Sequence, residues 1–193
     1  MLYLILGLVI FLGVHSVEIV SPTFRSRAVA QLGERPYKAI YSLLSIFGFV
    51  LLVWGYGVAR QQPILVYAPP LWMRHLTLLL MLPVFPLLLA TYLPGRIKAA
   101  VKHPMLASVK LWAFAHLLAN GMLADVLLFG GFLIWAVADR ISVKRRAVVR
   151  PVPGPPPGKY NDLIAVVGGL ALYVIFVFGL HLWLIGVSPL PAR

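Results

Sequence analysis

Two histidines stand where an ionisable side chain is hardest to place. His116 lies within Lys102–Asn120, KHPMLASVKLWAFAHLLAN, between Ala115 and Leu117, and His15 follows a long apolar run, between Val14 and Ser16. Desolvating a polar group with no partner costs roughly 2–7 kcal/mol, so an ionisable residue inside an apolar segment is a functional candidate by default. Two such imidazoles can share a proton or hydrogen bond, ligate a metal ion, or bracket a haem from its two faces. A bare zinc ion would ask for three or four ligands close together. No carboxylate lies beside His116 in the sequence, and with no cysteine in the chain there is no thiolate ligand and no disulfide framework.

The neighbours of each histidine carry second possibilities. Trp112, His116 and Asn120 are four apart and share one helix face, with Lys110 toward the start of the same helix. Trp112 suits packing or stacking on a cofactor, Asn120 ends the helix or lines a slot, and Lys110 snorkels or faces a ligand. Glu18, three residues after His15, is placed to orient the free ring nitrogen as second-shell carboxylates do, or simply sits at a solvated helix end. His103 precedes Pro104, a residue suited to the first helical position, and reads as an interfacial cap or a gate residue with a catalytic role. His75 and His181 fall near the ends of apolar segments and read as interfacial.

The elements that must position these residues are membrane helices. The chain is 61% hydrophobic and 11% charged, against about 45–50% and about 25% in soluble domains. An all-α, polytopic membrane protein follows, a six-helix bundle forming one domain over 1–193. A spanning helix needs about 20 apolar residues, and the expected spans are about 2–20, 37–59, 72–93, 104–120, 122–139 and 163–187. The first lacks a basic leader and a small-residue cleavage site and reads as a retained helix. Pro83 and Pro86 inside the third predict a kink whose freed carbonyls neighbouring helices or water must cover. Trp54 and Tyr56 read as interfacial aromatics. The fourth and fifth, parted by Gly121, read as an antiparallel hairpin, and Gly130-Gly131 and Gly168-Gly169 as sites of close helix contact. No internal repeat and no soluble module is visible.

Net charge is +12, with 17 Lys and Arg against 5 Asp and Glu. With no soluble domain to carry a basic patch, nucleic acid is not an expected partner. The charge sits in alternate loops: Arg25, Arg27, Arg35 and Lys38, then Arg96, Lys98 and Lys102, then the basic, Pro-rich connector 140–162. The positive-inside rule makes these cytoplasmic and both termini external, in an inner membrane whose anionic headgroups the connector would meet. On that topology His116 lies roughly 18 Å from the inner face and His15 about 8 Å. An offset of roughly 10 Å counts against direct sharing of a proton. A tilted haem tolerates it.

GVHS at 13–16, KHP at 102–104 and AHLLANG at 115–121, followed by LLFGGFLIWA at 127–136, resemble the NnrU family over nearly the whole chain. These are bacterial membrane proteins named for an association with nitrite and nitric oxide metabolism and related to plastid 15-cis-zeta-carotene isomerases. The resemblance implies haem b held by two axial histidines, at the positions of His15 and His116, with His103 needed without being a ligand. Where the isomerases have a cysteine proposed as an alternative ligand, this chain has Ala113, so a Cys-for-His switch is not open to it.

The leading expectation is therefore a haem b protein between the first and fourth helices, with cis–trans isomerase activity on a polyene or other hydrophobic substrate, or redox or nitric oxide chemistry. The alternative is a non-catalytic accessory protein for denitrification. A small transporter is a further alternative, although the paired discontinuous segments of repeat-built carriers are missing.

Overall fold

A computed structural model describes residues 1–146, 152 and 154–190. Arg150 of the basic connector, and Arg193, lie outside the described residues. The helices run α1 Leu2–His15, α2 Val17–Val20, α3 Pro22–Leu32, α4 Glu34–Ala59, α5 Trp72–Met81, α6 Val84–Tyr92, α7 Arg96–Val101, α8 Pro104–Ala119, α9 Leu123–Arg145, α10 Asn161–Ile175, a π-helical turn Phe176–Leu180, and α11 His181–Ile185. Among the described residues the fold is all-helical, apart from one isolated antiparallel bridge between Leu65 and Met122.

Four stretches of the described chain are long and apolar enough to cross a membrane: Glu34–Ala59, Trp72–Tyr92, Leu123–Arg145 and Asn161–Ile185. The expected first and fourth spans are shorter apolar helices, Leu2–His15 and Pro104–Ala119. At 1.5 Å per residue they reach roughly 21 and 24 Å, against a hydrocarbon core of about 30 Å. Among the described residues, four of the six expected spans thus reach spanning length. The first helix stops at His15 instead of Val20 because Ser16 turns its hydroxyl back on the Leu12 carbonyl at 2.7 Å and its backbone N–H onto Gly13. Such back-bonding competes with helical propagation and bends the chain. The basic loops also fold further than expected, giving α3 and α7, and α9 continues to Arg145.

The chain packs as two compact units, Met1–Tyr67 with Gly121–Val149, and Ala68–Asn120 with Arg150–Arg193. In the first unit α1 lies antiparallel on α4 through glycines that the sequence pattern did not single out. A Cβ at Gly7 would stand 2.4 Å from the Leu52 nitrogen, and one at Gly48 would stand 2.8 Å from the Phe11 nitrogen. The two backbones touch because no side chain separates them. Gly130, by contrast, has open space where a Cβ would go, and Gly131 meets Leu8 and Leu12 only at ordinary contact distance. Tyr56 is not merely interfacial: its hydroxyl donates to the buried Asp125 carboxylate at 2.6 Å. At the expected join of the fourth and fifth spans, the Gly121 carbonyl accepts from Val66 and Tyr67, and the Leu123 N–H donates to Ile64.

The second unit is built on α8 against α5 and α6, with α10 on α6. The chain breaks between α5 and α6 at Leu82 and Pro83, as the prolines require. Carbonyls on both sides of the break are covered by side-chain hydroxyls from neighbouring helices, Tyr173 on Leu78 at 2.9 Å and Ser108 on Val84 at 2.9 Å. Gly169 does serve close contact, since a Cβ there would meet the Pro86 nitrogen at 2.4 Å. Asp162, at the start of α10, accepts the Arg96 and Ile97 N–H groups at 2.8 and 3.0 Å and so caps α7.

Candidate functional site

His15 is the last residue of α1, and its environment is set by the backbone one turn earlier. Nδ1 stands 2.7 Å from the Phe11 carbonyl oxygen. A carbonyl can only accept, so Nδ1 carries the ring hydrogen and the neutral imidazole keeps its lone pair on Nε2. The ring is packed by Phe11 at 4.4 Å between centroids, by Tyr41 edge-on at 5.6 Å and by Trp135 at 6.2 Å and 88°. Metal-bound imidazoles are commonly prepared in this way, with the second nitrogen on a backbone carbonyl.

Beside His15 the first unit contains a cavity of about 430 Å³, within the range of roughly 300–1,000 Å³ typical of small-ligand sites. Tyr37, Tyr41, Ser42 and Trp135 line it together with His15, and Glu18, Arg25, Lys38, Asp139 and Arg146 bring charge to it. Arg146 donates to Glu18 at 3.2 Å, to Ser142 at 3.2 Å and to Asp139 in a very short contact. Only 15% of its side chain and 16% of that of Asp139 are exposed, so this is an ion cluster largely removed from water, where leaving one member unpaired is expensive. Arg25 faces the other Glu18 oxygen at 3.8 Å. Glu18 is therefore turned to arginines, and the Phe11 carbonyl, not Glu18, orients the His15 ring. On the aromatic side, the Trp135 indole N–H is buried with no acceptor among the described residues, a condition that costs about 1–3 kcal/mol.

His116 belongs to the second unit and occupies the last turn of α8. Its Nδ1 stands 2.8 Å from the Trp112 carbonyl oxygen, its ring lies 5.4 Å from the Trp112 ring, and Asn120 donates its side-chain amide to the His116 carbonyl at 2.9 Å. Trp112, His116 and Asn120 are thus brought together as their spacing requires. The buried Thr77 hydroxyl donates to the adjacent Ala115 carbonyl at 2.9 Å. Lys110 is half-buried on the same helix.

His103 is at the opposite end of α8, about 20 Å along the axis from His116 at 1.5 Å per residue, and does not share its site. It is the N-cap, its carbonyl accepting from Ala107 at 3.1 Å. Lys102 before it has φ 66 and bridges a turn closed by the His103 N–H on the Val101 carbonyl at 2.8 Å. That is a γ-turn of the strained sense. His75 is exposed, and His181 bonds the Val187 carbonyl through Nδ1 at 2.7 Å.

Tyr41, Trp135, Asp139 and Arg146 were not visible as site residues from sequence. One signal was available: the chain has only 5 acids, and every one is tied. Glu18 and Asp139 hold Arg146, Glu34 holds Lys38, Asp125 accepts Tyr56, and Asp162 caps α7. Scarce acids in a strongly basic membrane chain mark its polar anchors.

No group of three or more His, Cys, Asp or Glu side chains able to hold a metal ion occurs among the described residues. A haem asks for only two protein ligands. The donor chemistry of His15, with a fixed Nδ1, a lone pair on Nε2 and an aromatic-lined cavity beside it, fits such a group. The family model described as NnrU protein matches residues 3–189. No curated protein and no solved structure matches the chain.

Proposed function

Since the chain belongs to the NnrU family over nearly its whole length, we propose that it is a haem b protein of the bacterial inner membrane, with His15 and His116 as the axial imidazoles. The observation that carries the reading is the shared preparation of those rings. Each donates Nδ1–H to the carbonyl of an aromatic residue four positions earlier, Phe11 or Trp112, the tautomer that carries its lone pair on Nε2 and in which metal-binding imidazoles are commonly held. When bound, the haem would supply an iron able to lend electron density to a polyene double bond or to exchange an electron with nitric oxide. The protein's own part is to fix both ring tautomers, to pack His15 between Phe11, Tyr41 and Trp135, and to hold an ion cluster at the cavity wall. Basic loops on the cytoplasmic side and both termini outside complete the reading. The short α1 and α8 then lie where the bilayer is thinned or hydrated.

The purified protein should be red, with a b-type pyridine haemochrome spectrum, and His15→Ala and His116→Ala should each lose the low-spin Soret band. A full low-spin band in both variants would sink the assignment. Deleting the gene and feeding the cells zeta-carotene separates catalysis from an accessory role. A changed isomer ratio marks an isomerase, and lost nitric oxide reduction with unchanged isomers marks an accessory protein.

A further inference from the structure

Three cations line the cavity beside His15, and they are not equivalent. Arg146 is committed to Glu18, Asp139 and Ser142. Lys38 faces Glu34 at 2.7 Å in an exposed pair on one helix face, a kind that solvent screens and that parts easily. Arg25 differs from both. Its Nε is 3.8 Å from Glu18, beyond hydrogen-bond range, and its guanidinium leans over the Tyr37 ring at 5.5 Å. No hydrogen bond is found for its terminal amino groups among the described residues, yet only 22% of the side chain is exposed. A largely desolvated guanidinium presents a rigid fork of donors matched to a carboxylate or phosphate.

An anion is what the Arg25 fork lacks. The rest of the lining is mixed: ring surface from His15, Tyr37, Tyr41 and Trp135, the Ser42 hydroxyl, and the Glu18 and Asp139 carboxylates that Arg146 holds. The ring surface suits a flat apolar body. The matching ligand is planar and apolar with acid groups at one edge.

We propose that this cavity receives the carboxylates of its ligand, with Arg25 as the anion-pairing residue. The inference rests on the haem reading, under which these acid groups are the haem propionates.

The test titrates detergent-purified apoprotein with haem and with haem dimethyl ester, which has the same ring and iron but no carboxylate, and reads the Soret band. Wild type should bind haem at least about tenfold more tightly than the ester, the scale of one charge-assisted contact. Arg25→Gln should lose most of that preference and Arg25→Lys should keep part of it. Far-UV circular dichroism confirms that each variant is folded. If wild type binds both ligands equally, or Arg25→Gln and Arg25→Lys leave the preference intact, the inference falls while the haem reading stands. Uptake of neither ligand overturns the haem reading and this inference with it. Arg25-dependent binding of oleate with no uptake of haem overturns the haem reading and leaves Arg25 as the pairing residue of a lipid acid.

Discussion

At the end of α1, the His15 ring donates its Nδ1–H to the Phe11 carbonyl and lies tilted against the Phe11 ring. At the end of α8, the His116 ring does the same with Trp112. The local device is one and the same, an imidazole in the last helical turn with an aromatic residue four positions before it. The surroundings differ. His15 borders a cavity with an ion cluster of Glu18, Asp139 and Arg146, whereas the backbone next to His116 takes neutral hydrogen bonds from Thr77 and Asn120. The difference shows that helix periodicity fixes the ring and its tautomer, and that the packed neighbours set what the ring borders.

The comparison can be broken most forcefully at Arg146. Arg146→Ala leaves Glu18 and Asp139 without their shared partner and should cost on the order of 3 kcal/mol, scaled down from a fully buried pair because Glu18 is partly exposed. Thermal unfolding in detergent measures it, and a loss below about 1 kcal/mol would mean the cluster is effectively solvated. Gly48→Ala comes next. Its Cβ would press on the Phe11 nitrogen and on Ile10, so overpacking of about 1–3 kcal/mol is expected. Gly57, with open space around it, should accept alanine without that loss. Because Phe11 holds the His15 ring, Gly48→Ala should also disturb the His15-dependent spectrum, and an unchanged spectrum would detach the helix seat from the imidazole.

On the neutral side the effects should be smaller. Thr77→Val removes one buried hydroxyl-to-carbonyl bond and should cost about 1 kcal/mol. A cost equal to that of Arg146→Ala would erase the distinction between the two helix ends. The smallest effect is a gain. Lys102→Gly relieves a non-glycine residue at φ 66 and should stabilise by up to about 1 kcal/mol. If the variant is instead less stable, the lysine side chain supports the turn ahead of His103.

Much of this was legible in the chain itself. The apolar surplus and its segmentation determined an all-helical fold with membrane-crossing character. Pro83 and Pro86 determined where the third segment breaks, because a proline cannot donate to the turn before it. The spacing of Trp112, His116 and Asn120 determined their common face. The stop of α1 at His15 is a local device that apolar periodicity does not show, since the Ser16 hydroxyl takes the Leu12 carbonyl one turn back. Only tertiary structure could turn Glu18 away from His15, because its partner Arg146 is 128 residues distant in sequence. The glycines that seat α1 on α4 look like any others in an apolar run. Their meaning is supplied by the backbone lying against them, and periodicity within one helix carries no information about which face of another helix will arrive there.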